Sequence, residues 1–142
     1  MKSSKFWIAV VVTGIVGNIL DFVVQGMILT NMYYSTMPDI FNNTTNPAWY
    51  IFGDFVGSFV LIWFYDKVRG SFAEGMKGGA TFGFYAGVLL NFPTWIFIHL
   101  FIKGYPYGLS WIDTIYGIIW YIIAGAIIGG LYSRKASTAP AQ

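Results

Sequence analysis

Asn18, Asp21 and Gln25 stand at i, i+3 and i+7, with Gly14 one turn before Asn18. In an α-helix that spacing puts all of them on one face. They interrupt an otherwise apolar run from Phe6 to Thr30. If this run crosses a bilayer, Asp21 sits roughly 13 Å from its outer end at a helical rise. An ionised Asp near the centre of a membrane helix costs about 2.5–3.5 kcal/mol. Asp21 is therefore expected to face other helices and to be protonated or paired. Asp54 enters a second apolar run, Asn91 and His99 lie in a third, and Asp113 begins a fourth. All these polar groups fall in the half of the spans away from the N-terminus. The functional reading is a polar pocket open to that side, where Asp21, Asp54, Asn91 and His99 bind a proton, a cation or a small polar solute. Asn18 and Gln25 share Asp21's face. The competing reading is packing. Asn and Gln bond across membrane helices for under about 2 kcal/mol each, an Asp in a first turn complements the helix dipole, and a lone His near an interface is solvated.

Catalysis finds little support in the residue types. There is one histidine and no cysteine, so thiolate or multi-histidine metal sites, haem ligation and disulfides are not expected. No cofactor is implied. No Ser lies in a nucleophile elbow for His99 to serve as base. Intramembrane aspartyl proteases share only the dipeptides Tyr65-Asp66 and Gly53-Asp54, and bulky Ile51 stands where their pattern wants glycine. The expectation is a protein that is not an enzyme.

The elements that carry these residues follow from composition. Of 142 residues, 56% are hydrophobic and 10% charged, against about 25% charged in soluble domains. A short soluble chain could not hide so much apolar surface, so the bilayer is the expected solvent and partner. The net charge of +2 gives no reason to expect nucleic acid. We expect one all-α integral membrane domain over 1–142. Its four transmembrane helices should span about 6–30, 48–65, 76–102 and 111–132. A cleaved signal peptide fits the first run poorly, because it is too long and lacks a cleavage site. Lys2, Lys5, Lys67, Arg69, Lys77, Arg134 and Lys135 fall on one side of this layout, and Lys103 on the other. That bias places both termini in the cytoplasm, with a bacterial inner membrane as the expected location. Tyr33, Tyr34, Trp49, Tyr50, Tyr105, Tyr107 and Trp111 would form the outer aromatic belt. The sequons at Asn42 and Asn43 matter only in a eukaryotic secretory pathway.

Gly79, Gly83, Gly87 and Asn91 recur at spacing four in the third run, and Pro93 follows. A narrow small-residue stripe is what a helix shows to a closely packed neighbour. A Pro there removes a backbone donor and predicts a kink near Leu89. Helix three thus reads as a Gly-rich, Pro-kinked central post, its stripe against glycines of helix one or four. Gly53/Gly57 and Gly125/Gly129 add a Gly-x-x-x-Gly to spans two and four, and Gly14/Asn18 echoes Gly87/Asn91. Chance explains such a parallel repeat equally well.

The run Gly83 to Asn91, the loop Lys103-Gly104-Tyr105-Pro106, the start Trp111-Ile112-Asp113 with Tyr116-Gly117, and Gly125/Gly129 cover the second half of the chain. Together they resemble small four-helix bacterial membrane proteins grouped as domains of unknown function. That resemblance implies a four-helix membrane protein and no activity. Small multidrug exporters share the size and a buried acid on helix one, which is analogy at the level of fold. Two functions remain in view: a binding or transport protein for a proton, cation or small solute, and a non-catalytic accessory or structural subunit. So thin a bundle also suits a homo-oligomer or a larger complex.

Overall fold

The structure is a computed structural model that describes residues 3–42 and 46–133. It is all-helical over those residues, with four helices long and apolar enough to cross a membrane. Helix one is Ser4–Thr36, helix two Ala48–Ser71, helix three Gly75–Phe101 and helix four Tyr107–Tyr132. Lys2, Asn43, Thr44, Thr45, Arg134 and Lys135 lie outside the described residues.

The spacing-four glycines bring helices three and four together backbone to backbone. A Cβ on Gly79 would stand 2.8 Å from the Cα of Gly129, and one on Gly83 3.0 Å from the Cα of Ile122. Gly87 meets Ile118 in the same way, at 3.0 Å. Only residues without a side chain allow such an approach. The expected contact between the stripe and Gly125/Gly129 of helix four is therefore present. The expected central post is not. Helix one packs on both helix two and helix four, whereas helix three packs chiefly on helix four. It reaches helix two through rings, with Phe82 5.0 Å from Tyr65. Helix three thus has two neighbours, four along the glycine stripe and two through rings, just as helix one has four and two. Gly53 and Gly57 differ again: a Cβ on either would meet nothing within 4 Å.

Two helix ends differ from the sequence expectation. Helix four starts at Tyr107, four residues before Trp111, with Pro106 ahead of it. Asp113 is thus in the second turn, not the first, and is 3% exposed. Helix one runs beyond Thr30 because it changes pitch: Ser4–Asp21 is α, and Phe22–Leu29 is a π-helix. A π turn takes more residues than an α turn. Gln25, inside the wide turn, still faces helix four as Asp21 does: Asp21 meets Tyr116, and Gln25 meets Asp113 one turn earlier on helix four. The wide turn is stitched by Thr30, whose hydroxyl donates to the Gln25 carbonyl at 2.8 Å. Helix three stays α from Gly75 through Trp95, Pro93 included, and is interrupted before Ile98–Phe101.

The core lies toward the Lys5 end and includes Phe6, Ala9, Val10, Leu61, Ile62, Tyr65, Ala124 and Ile128. Outward-facing Phe22, Ile19 and Leu89 are strongly exposed, as suits lipid contact. The Lys5 ammonium donates to the Ser133 carbonyl at 3.3 Å, and Arg69 stacks on Tyr132 at 5.1 Å. Lys5, Arg69 and their neighbours thus gather at one end of the bundle, and Lys103 lies at the other.

Gly83→Leu should destabilise the detergent-solubilised protein by about 1–3 kcal/mol, the usual cost of overpacking. Gly57→Leu should leave the thermal midpoint unchanged. Equal midpoints for both variants would contradict the packing described.

Candidate functional site: two carboxyl clusters at the Lys103 end

Asp21 is the last residue of the α-helical part of helix one. Tyr116 of helix four donates its hydroxyl to Asp21 Oδ1. The Asp54 carboxyl, from helix two, lies within hydrogen-bonding reach of Asp21. Three helices therefore meet on one acid. A hydrogen bond between two carboxyls requires a proton on one of them. Asp54 Oδ2 is buried and accepts no hydrogen bond from an N–H or hydroxyl among the described residues.

Asp113 forms the second cluster. Tyr105 donates to its Oδ2 at 2.8 Å and the Gln25 amide donates to its Oδ1 at 3.3 Å. Tyr34 in turn donates to Gln25 Oε1. Leu29 and Leu109, both buried, close the cluster on its apolar side. Tyr105 is in the loop before helix four, where burial, then its bond to Asp113, pushes its phenol well above the ordinary range. It stays protonated and serves as a donor. The π segment links the two clusters, since it begins just after Asp21 and carries Gln25. Wide turns of this kind are frequent at functional sites.

The other sequence candidates go elsewhere. Asn18 donates to the Gly14 carbonyl at 2.8 Å, and Asn91 to the Gly87 carbonyl at 3.0 Å. Both amides are spent on their own helix. Asn91 also packs directly on Gly117 of helix four. The echo of Gly14/Asn18 in Gly87/Asn91 is thus a shared local contact. His99 Nδ1 lies 3.4 Å from Ser110 Oγ, and its ring meets that of Tyr107 at 4.8 Å. It joins neither cluster.

Four partners escaped the sequence reading: Tyr34, Tyr105, Tyr116 and Asp113 in its buried role. By sequence Tyr34 and Tyr105 belong to the interfacial belt, yet their hydroxyls turn inward to the site. A signal for Tyr116 was present. Asp113, Tyr116 and Trp120 repeat the i, i+3, i+7 spacing of Asn18, Asp21 and Gln25.

No group of three or more His, Cys, Asp or Glu able to hold a metal ion occurs among the described residues. The two clusters offer carboxyls and phenols, groups that exchange protons, and they lie far from Lys5 and Arg69. Comparison with protein-family models, with curated proteins and with solved structures gives no match.

Tyr105→Phe removes one of two donors from a nearly fully buried carboxyl. Stability should fall by about 1–3 kcal/mol, the cost of leaving a buried polar atom unpaired. Combined with Gln25→Leu, the losses should depart from additivity, because both donors serve Asp113. Additive effects in thermal unfolding would show that the cluster does not act as a unit.

Proposed function

We propose that this chain is a multi-pass protein of a cell membrane, the bacterial inner membrane, that binds and moves a proton through Asp21 and Asp54. It is a binding or transport protein and not an enzyme. The observation that carries the reading is the contact between Asp21 and Asp54, with Tyr116 donating to the first. Two carboxyls side by side repel when both are ionised, so one proton or one cation between them is the stable arrangement. Among the described residues, the cationic or imidazole groups at that end are Lys103 in its loop and His99, and His99 is turned to Ser110. Intramembrane acids of this kind mark proton and ion pathways by default.

Both termini are cytoplasmic on this reading. The bias of the basic residues supports it, as does the gathering of Lys5 and Arg69 at one end. Helix three kinks at Pro93, which the interruption after Trp95 supports. A second reading, an accessory subunit or homo-oligomer, draws on the open Gly53/Gly57 face of helix two. Small-residue faces of that kind suit helix association in membranes.

Proton flux in vesicles, with thermal stability measured alongside, tests the first reading. Asp21→Asn and Asp54→Asn should each keep the fold and abolish flux. Wild-type behaviour in both variants, or no flux in the wild type under any gradient, would transfer the case to the accessory reading. A topology reporter should read extracytoplasmic at Asn43 and cytoplasmic at Arg69. The reverse would overturn the orientation.

A further inference from the structure

Asp21 and Asp54 head a polar ladder built by three helices. On helix one the steps at one-turn intervals are Asp21, Gly17 and Thr13, on helix two Asp54 and Ser58, and on helix four Tyr116 and Trp120. Contacts tie the rungs together. Tyr116 and Asp54 both meet Asp21. The Trp120 indole lies on Gly17, its Nε1 3.3 Å from where a Cβ would stand. The Phe55 ring, between Asp54 and Ser58 on helix two, packs on Gly14.

Four atoms of this ladder are buried without a hydrogen-bond partner among the described residues: Asp54 Oδ2, Ser58 Oγ, Thr13 Oγ1 and Trp120 Nε1. Ser58 is 0% exposed and Thr13 1%. Helical hydroxyls normally bond to the carbonyl one turn earlier, and Thr81, Thr94 and Thr114 all do so here. Thr13 and Ser58 do not. Unpaired buried polar atoms are rare and call for a ligand. One turn further along each helix the ladder ends in Ala9, Ile62 and Ala124, at 0%, 0% and 3% exposure. Along the three helices, the four atoms therefore fall on the turns between the acid pair and an apolar plug.

We infer that Asp54 Oδ2, Ser58, Thr13 and Trp120 wall an internal hydration site, in which bound water bridges the acid pair to the indole N–H. The chemistry selects water over a metal cation. An indole N–H can only donate, so its neighbour must accept, which a cation cannot do. Water accepts from Trp120 and donates to Asp54 Oδ2, while the two hydroxyls fill either role. Buried waters with two to four such partners are ordinary structural components. The inference rests on the reading of Asp21 and Asp54 as a proton site and deepens it, naming water as the proton-carrying neighbour. The plug makes the site a dead end in this conformation, reached from the acid side.

Nitrogen-15 NMR of the full chain in lipid nanodiscs tests it. The chain has six Trp, and Trp120→Phe assigns the relevant indole signal. The Trp120 indole proton should show cross-relaxation with water in the wild type. Ser58→Ala combined with Thr13→Val, which removes two of the walls, should weaken that cross-peak at least several-fold. The cross-peak should persist in Asp21→Asn, whatever happens to flux. A Trp120 indole proton with no water contact in the wild type overturns the hydration site and leaves the acid pair untouched. A cross-peak unchanged in the Ser58/Thr13 double variant also overturns it, because the water would then lie elsewhere. Wild-type flux in Asp21→Asn with the cross-peak intact would remove the proton reading and keep the hydration site.

Discussion

The contact of Asp21 with both Asp54 and Tyr116 is the interaction on which the bundle's polar architecture depends. It joins helices one, two and four at a single carboxyl. Hydrocarbon offers such groups no water, so their hydrogen bonds must be met inside the protein. The placement of helix one between helices two and four satisfies that demand. The glycine seam does the complementary work, bringing helix three onto helix four by backbone proximity, with Asn91 seated on Gly117. One side of the bundle is held by backbone proximity and the other by acids, phenols and apolar packing. The two arrangements meet in helix four, which shows glycines to helix three and Tyr116 with Trp120 to helix one.

Helix one meets the same demand twice on helix four. Asp21 takes the Tyr116 hydroxyl, and Gln25, in the π segment, gives its amide to Asp113, a carboxyl it shares with the Tyr105 hydroxyl. Each acid has a Tyr hydroxyl, and neither has a cation.

Composition and spacing carried some of this and not the rest. The four spans were legible, because apolar run length depends only on bilayer thickness. So was the contact of Gly79, Gly83 and Gly87 with helix four, since close approach needs small residues at fixed intervals. That helix three is no central post was not, because a stripe announces that one face is buried and says nothing of the other faces. The π segment was hidden, being fixed by partners on another helix. Asp21 and Asp54 were singled out by being acids in apolar runs. Tyr34, Tyr105 and Tyr116 were not, because aromatic residues near membrane interfaces have an ordinary explanation. Their bonds also join residues as far apart as Asp21 and Tyr116, beyond any local periodicity. Asn18, Asn91 and His99 stand out as polar residues in spans, yet the two amides bond their own helix and His99 meets Ser110 and Tyr107 of helix four.

The central claim is that Asp21 and Asp54 hold a proton between them. The infrared spectrum of the membrane-embedded protein at neutral pH measures this most directly, through the carbonyl stretching band of a protonated carboxylic acid. The account predicts such a band in the native protein and its loss in the Asp21→Asn/Asp54→Asn double variant. A native spectrum without the band, or a band of equal size in the double variant, would contradict it.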